Sequence, residues 1–183
     1  MDSHVYIFGT LTDVLTGETL TDTHDERYRQ ELARFLLDEK GYRKEGLEPR
    51  VSIRLENLGR CAEVLVDIAA RMDGHILMIL RYGPGSLVTR ERPAIAASRL
   101  VAPYQVPVVV VTNGEDAEII DGRTGKITGS GLPAIPSRDE LAALAQVFIP
   151  VPVSEKQKDA ERRILFTYEA VGACNCDDGG CKI

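Results

Sequence analysis

Tyr28, Leu32, Phe35 and Leu36 recur at i, i+4, i+7 and i+8, the spacing that gathers apolar side chains on one helical face. Thr23-His24-Asp25-Glu26 places a hydroxyl and a carboxylate three residues apart ahead of them, as in a capping box, and Gly41 follows Lys40 as a stop. A helix is therefore predicted between Thr23 and Gly41. The period then falls to two. Val51, Ile53 and Leu55 alternate with Ser52, Arg54 and Glu56, which predicts a half-buried strand. Over 61–70, Cys61, Glu63, Leu65 and Asp67 share one face of a second strand, and Ala62, Val64, Val66 and Ile68 share the other. Asp73-Gly74 is a hairpin signal, and Ile76–Leu80 is apolar on both faces, as a central strand is. A three-stranded antiparallel meander entered from a helix is the expectation for 51–82.

Beyond the loop Gly83-Pro84-Gly85-Ser86, Thr89 is expected to cap a helix reaching about Ala102, with Pro93 in its first turn. Val106–Val111 reads as a buried strand. Strand, helix, strand at this spacing is a crossover unit, so this strand is expected parallel to Ile76–Leu80. Thr112-Asn113-Gly114 turns the chain into a short hairpin with a strand at Ala117–Ile120, and 121–126 is a further turn. Ser137-Arg138-Asp139-Glu140 opens a helix to about Gln146; Ile149–Val153 alternates with Pro150 and Pro152 and is extended; Ser154 caps a last helix to about Ala170, striped by Ile164, Leu165 and Tyr168. At the other end, Val5–Phe8 is a candidate short strand, and Gly9 to Thr23 reads as an arm or loop. The fold class expected is α/β, a small mixed β-sheet flanked by helices. The divisions are an N-terminal strand and arm (1–22), the α/β domain (23–150), and a C-terminal helix with a cysteine-containing tail (151–183).

Composition narrows the functional classes. The 183 residues carry 28 acidic and 22 basic side chains, a formal net charge of −6. This argues against a general nucleic-acid coat protein, which needs a basic excess. With 44% hydrophobic residues, no Trp and only 5% aromatics, the core must be built from Val, Ile, Leu and Ala. No apolar run approaches the roughly 18–20 residues of a membrane span. Met1-Asp2-Ser3-His4 is not the start of a signal peptide, so a cytoplasmic protein with mostly reduced thiols is expected. Cys174, Cys176 and Cys181 then read as candidate soft-metal ligands. Gly179 and Gly180 let the chain fold back, and zinc or an iron–sulfur cluster is the candidate cofactor. A fourth ligand would come from Asp177, Asp178, Cys61 or another protein. His4, His24 and His75 have no His or Cys at ligand spacing and read as surface residues.

From Asp25 to Gly125 the chain resembles the N-terminal nuclease domain of the type I restriction enzyme restriction subunit, of the PD-(D/E)xK nuclease superfamily. The resemblance runs through Asp25-Glu26-Arg27 on the first helix, the helix-ending Glu39-Lys40-Gly41-Tyr42, the acid Glu48 before the first strand, Val66-Asp67-Ile68, and Val109–Gly114 with its Thr-Asn-Gly. It implies a restriction-endonuclease-like fold in which carboxylates on adjacent strands hold Mg²⁺. A lysine two residues after the second acid would activate the attacking water.

The strand due to carry Glu-x-Lys reads Ile76-Leu77-Met78-Ile79-Leu80-Arg81-Tyr82. Sliding it by a residue yields Ile79 with Arg81, Leu80 with Tyr82, or Arg81 with Gly83, none of which supplies the acid. The family's glutamine on the next helix has no counterpart in 94–100. Glu26 and Asp67 are then remnants of the site, with Asp67 expected in a salt bridge, for instance to Arg81. Arg81, Arg90, Arg92 and Arg99 form a basic stretch suited to phosphate, nucleic acid or an acidic partner protein. The expected function is that of a non-catalytic binding or accessory protein. The alternatives are an accessory subunit of a cytoplasmic redox complex using the cysteines, and a divergent Mg²⁺-dependent endonuclease.

Overall fold

The structure is a computed structural model that describes residues 6–57 and 59–169 together with the backbone of 174–175. Nine strands and four α-helices are present among them. β1 (Gly9–Thr12) and β2 (Thr19–Asp22) form a separate antiparallel hairpin. The stretch expected to be an arm is thus a hairpin, and Tyr6 to Phe8, the described part of the expected first strand, is not a strand. The hairpin escapes apolar periodicity because it buries almost nothing. Its tip is instead held by the Asp13 carboxylate, which accepts from the N–H groups of Leu15 and Thr16 at 2.8 and 3.2 Å.

Helix α1 (His24–Asp38) starts where the capping signal puts it, with Thr23 Oγ1 accepting from the Glu26 N–H at 3.2 Å. The sheet follows: β3 (Leu47–Asn57), β4 (Arg60–Met72), β5 (His75–Tyr82), helix α2 (Val88–Ser98), β6 (Val108–Thr112), β7 (Ala117–Asp121) and β8 (Ile127–Ser130). The order is β3-β4-β5-β6-β7-β8, antiparallel throughout except for the parallel β5–β6 pair, as the crossover requires. The β4–β5 turn has Asp73 at φ 49° and Gly74 at φ 79°, the pair of positive values that an Asp-Gly two-residue turn supplies. β8 adds an edge strand with no clear alternation. Helix α3 (Arg138–Val147) begins at Ser137 with a reciprocal capping box, and helix α4 (Glu155–Glu169) follows the extended 149–153 segment. β9 (Cys174–Asn175) lies antiparallel to Arg60–Cys61.

The sheet separates two cores. On one side Ile53, Leu55, Val66, Ile79, Val109 and Val111 pack with α2 and Leu165 of α4. On the other, Leu80, Val110 and Ile119 pack with Leu32 and Leu36 of α1 and Leu141 of α3. The alternation of Val110 against its two neighbours is the strand period made visible. Full burial of a Leu or Ile contributes about 1.5–3 kcal/mol, so these layers dominate the stability.

Helix α2 is shorter than its pattern, ending at Ser98, and its Pro93 sits inside the helix, not in the first turn. Thr89 does not cap it; Leu87 is the N-cap residue, and the Thr89 hydroxyl donates to the Ser86 carbonyl at 3.0 Å. In α4 the stripe is also narrower than expected: Leu165 is fully buried but Tyr168 is 58% exposed.

Candidate functional site

Glu26, Arg29 and Gln30 lie at i, i+3 and i+4, so α1 turns all three toward β4 and the hairpin tip. Arg29 is placed between Glu26 and Asp67. One terminal nitrogen of its guanidinium pairs with the Glu26 carboxylate. Its Nη2 and Nε donate to Asp67 Oδ1 on β4 at 2.9 and 3.1 Å. The other oxygen of Asp67 accepts from the Tyr82 backbone N–H on β5 at 2.8 Å. The remaining oxygen of Glu26 accepts from Gln30 Nε2 at 2.8 Å and stands 3.9 Å from Arg50. Gln30 in turn accepts from the Val14 N–H at 2.7 Å, which ties the hairpin tip to the cluster.

The groups are buried: Glu26 and Asp67 are each 7% exposed. Desolvation works against the charge of Arg29, but the carboxylates of Asp67 and Glu26 outweigh it and raise the guanidinium pKa further. At the hairpin tip the same contest is settled for Asp13. Burial opposes its charge, and the hydrogen bond from Arg50 with those from Leu15 and Thr16 holds its carboxyl below the usual range. Arg50 takes positive φ, 52°, to reach Asp13 Oδ2 at 2.5 Å and Glu18 at 3.1 Å.

The β4–β5 register ends at Ile68↔Leu80, and beyond it Asp67 points to the α1 side of the sheet and Arg81 to the α4 side. The ion pair expected between Arg81 and Asp67 does not form. Arg81 is held by Glu169 at the end of α4, through two hydrogen bonds of 3.0 and 2.7 Å, and Asp67 takes Arg29 instead. Gly83 stands two residues on, where the pattern has its lysine. A Cβ there would lie 2.8 Å from the Arg90 guanidinium carbon, so Arg90 from α2 covers that position.

The four arginines of the expected basic stretch are thus not a common surface. Arg92 and Arg99 both grip Glu161 of α4, Arg92 at 2.6 Å and Arg99 at 2.5 Å, and Glu161 is 2% exposed. Arg90 makes no ion pair among the described residues. Glu48 pairs with Arg71 at 2.6 Å. His24 stands edge-on to Phe8, and His75 packs among Tyr104 and Phe148 instead of standing free on the surface. Cys61 is disulfide-bonded, so it is not a thiolate ligand in this structure. Cys176 and Cys181, and the side chain of Cys174, lie outside the described residues.

Beside the charged cluster, Tyr28 and Tyr82 stack at 5.0 Å between ring centres. With Phe35, Thr112, Gly114 and Leu132 they line a hollow of about 170 Å³, below the roughly 300–1,000 Å³ of usual ligand sites. Burial, with the charges of Asp25, Tyr28 and Asp67 behind it, pushes the Tyr82 hydroxyl up to about 12. Gly114, at φ 93°, lets the Tyr28 ring lie where a Cβ would stand 2.8 Å away.

The profile of the type I restriction enzyme R protein N terminus (HSDR_N) matches residues 24–136, more than half of the chain. The chain belongs to that family. No curated protein and no solved structure matches it. The matched segment runs from α1 to just before α3 and holds Glu26, Arg29, Asp67 and Arg81, but not the α4 glutamates that bind Arg81, Arg92 and Arg99. No described helix is long and apolar enough to cross a membrane.

A divalent cation, which the nuclease pattern implies, does not fit these residues. Among the described residues no group of three or more His, Cys, Asp or Glu side chains is arranged to hold one. Both oxygens of Asp67 are engaged, and β5, His75–Tyr82, carries no carboxylate. Sequence reasoning missed Arg29, Glu161 and Glu169. The Glu26-x-x-Arg29 spacing was the one local signal; the two glutamates had none.

Proposed function

We propose that this chain is a non-catalytic member of the restriction-subunit N-terminal family, acting in the cytoplasm as a binding or accessory domain. The observation that carries the reading is Arg29. A cation supplied by the chain itself already satisfies the two acids that the family pattern assigns to metal, and no carboxylate faces them from β5. A buried carboxylate pair needs compensating positive charge, and a covalently attached guanidinium provides it without any dependence on metal concentration. The cluster carries no chemical step; it positions α1, β4, β5 and the hairpin relative to one another. An acidic net charge, with Arg81, Arg92 and Arg99 paired internally, favours a protein partner over DNA.

The test is titration of the protein with Mg²⁺ or Mn²⁺ by calorimetry, alongside incubation with linear and supercoiled DNA. The expected result is neither binding at Glu26 and Asp67 nor cleavage. Metal-dependent cutting that Asp67→Ala abolishes would overturn the reading and establish a divergent endonuclease.

A further inference from the structure

Helix α1 presents Tyr28, Glu31, Leu32 and Phe35, at i, i+3, i+4 and i+7, to the hollow beside the charged cluster. With Tyr82 and Leu132 opposite, that wall is apolar except for one group, the carboxylate of Glu31. At about 170 Å³ the space suits a single side chain, not a cofactor. Glu31 is exposed, and among the described residues nothing pairs with its carboxylate. Two cations stand by the walls and neither answers it. Lys40, 5.6 Å from the Phe35 ring centre, donates its ammonium to the Pro133 carbonyl at 2.6 Å, and the Arg90 guanidinium lies over Gly83. Asp25, exposed and also without an ion pair among the described residues, adds negative charge on the Tyr82 side.

We propose that this hollow receives one lysine or arginine side chain of a basic protein partner. The inference rests on the reading of the domain as a binding protein and names the chemistry of what it binds. A long basic side chain is apolar along its stem and charged at its tip, and it buries the first while leaving the second in water. The stem lies against Leu32, Phe35, Leu132 and the two tyrosine rings, and the head meets Glu31 at the rim. A neutral apolar knob would fill the same space but leave Glu31 unanswered. Nucleic acid would bring phosphates up to Glu31 and Asp25, on a chain whose net charge is already −6. A partner anchor seated in a pre-formed hollow is the usual form of an interface hot spot.

The experiment is an NMR titration of the full chain with the end-blocked peptide Gly-Gly-Lys-Gly-Gly and with its counterpart carrying norleucine for lysine. The lysine peptide is expected to shift the backbone amides of Glu31, Tyr82, Gly114 and Leu132, saturating in the millimolar range, with the norleucine peptide several-fold weaker. Glu31→Gln changes an exposed side chain with no partner to lose, so the fold is kept. It should weaken the lysine peptide about fivefold, the upper range for an exposed ion pair, and leave the norleucine peptide as it was. Leu132→Trp fills the hollow and should abolish both. Equal binding of the two peptides, or an unchanged lysine titration in Glu31→Gln, would overturn the proposal. So would the absence of any shift at these amides, or a duplex oligonucleotide that moves them at lower concentration than the lysine peptide. None of these outcomes alters the non-catalytic reading, which fails on metal-dependent cleavage alone.

Discussion

The two charged regions of this protein are built in opposite directions. At the α1–β4–β5 junction a single arginine, Arg29, neutralises two buried acids contributed by a helix and a strand. On the α2–α4 face a single buried acid, Glu161, neutralises two arginines from α2 and its C-terminal end, while Glu169 takes Arg81. The first region is where the family pattern expects negative charge for a metal; the second is where the sequence suggests positive charge for a phosphate. In both, the charge is spent inside the molecule. A run of like charges in sequence therefore reports what an element carries, and its availability depends on what packs against it.

Removing the hub of each region tests this contrast. Arg29→Met strands two carboxylates and is expected to cost roughly 3–5 kcal/mol in urea unfolding, the usual range for breaking a buried pair. Cation binding that appears at the freed acids would show that Arg29 alone keeps metal out. Glu161→Gln should cost less, about 2 kcal/mol, because Arg92 is 40% exposed and finds water. It should also elute later than wild type from heparin, since two guanidinium groups are released; unchanged retention would mean this face has no latent anion affinity.

Gly114→Ala presses a methyl group into the Tyr28 ring from a left-handed backbone, for about 1–3 kcal/mol and a changed Tyr28 fluorescence environment. Asp13→Asn is expected to cost about 1–2 kcal/mol at neutral pH. The Asp13 pKa is lowered in the fold, so its contribution is present above the unfolded carboxyl value near 3.8. The gap between variant and wild type should close as pH falls through the still lower folded value. Glu118 shows the smallest effect and the opposite sign. Burial, then the neighbouring Glu91, raises its pKa, so Glu118→Gln should slightly stabilise the protein above the folded value, with the gain fading in acid.

Much of the fold is legible in the residues. The α1 and α3 capping signals, the Asp-Gly turn, the two-sided apolar run of β5 and the parallel β6 all follow from local chemistry and chain connectivity. The hairpin 9–22 is not legible, because its partners are Arg50 and Gln30, far along the chain, and its apolar content is low. The end of α2 is missed because apolar residues continue past Ser98 into a loop that is itself packed on the core. At the candidate site the acids Glu26 and Asp67 are legible from their pattern. What binds them is not, since Arg29 and Asp67 are separated by 38 positions.

The sequence by itself determined the α/β class, the starts of α1 and α3, and the faces of β4 up to Val66; beyond it Ile68 packs in the opposite core from Val66. Each of these is written in residue type and in periods of 3.6 or 2. Only the tertiary structure decided which charges meet. Arg81, beside Val111, points to the α2–α4 side of the sheet and meets Glu169, while Asp67 points to the α1 side and meets Arg29. Ion pairing is a contest among all groups within a few ångströms, and folding sets that neighbourhood.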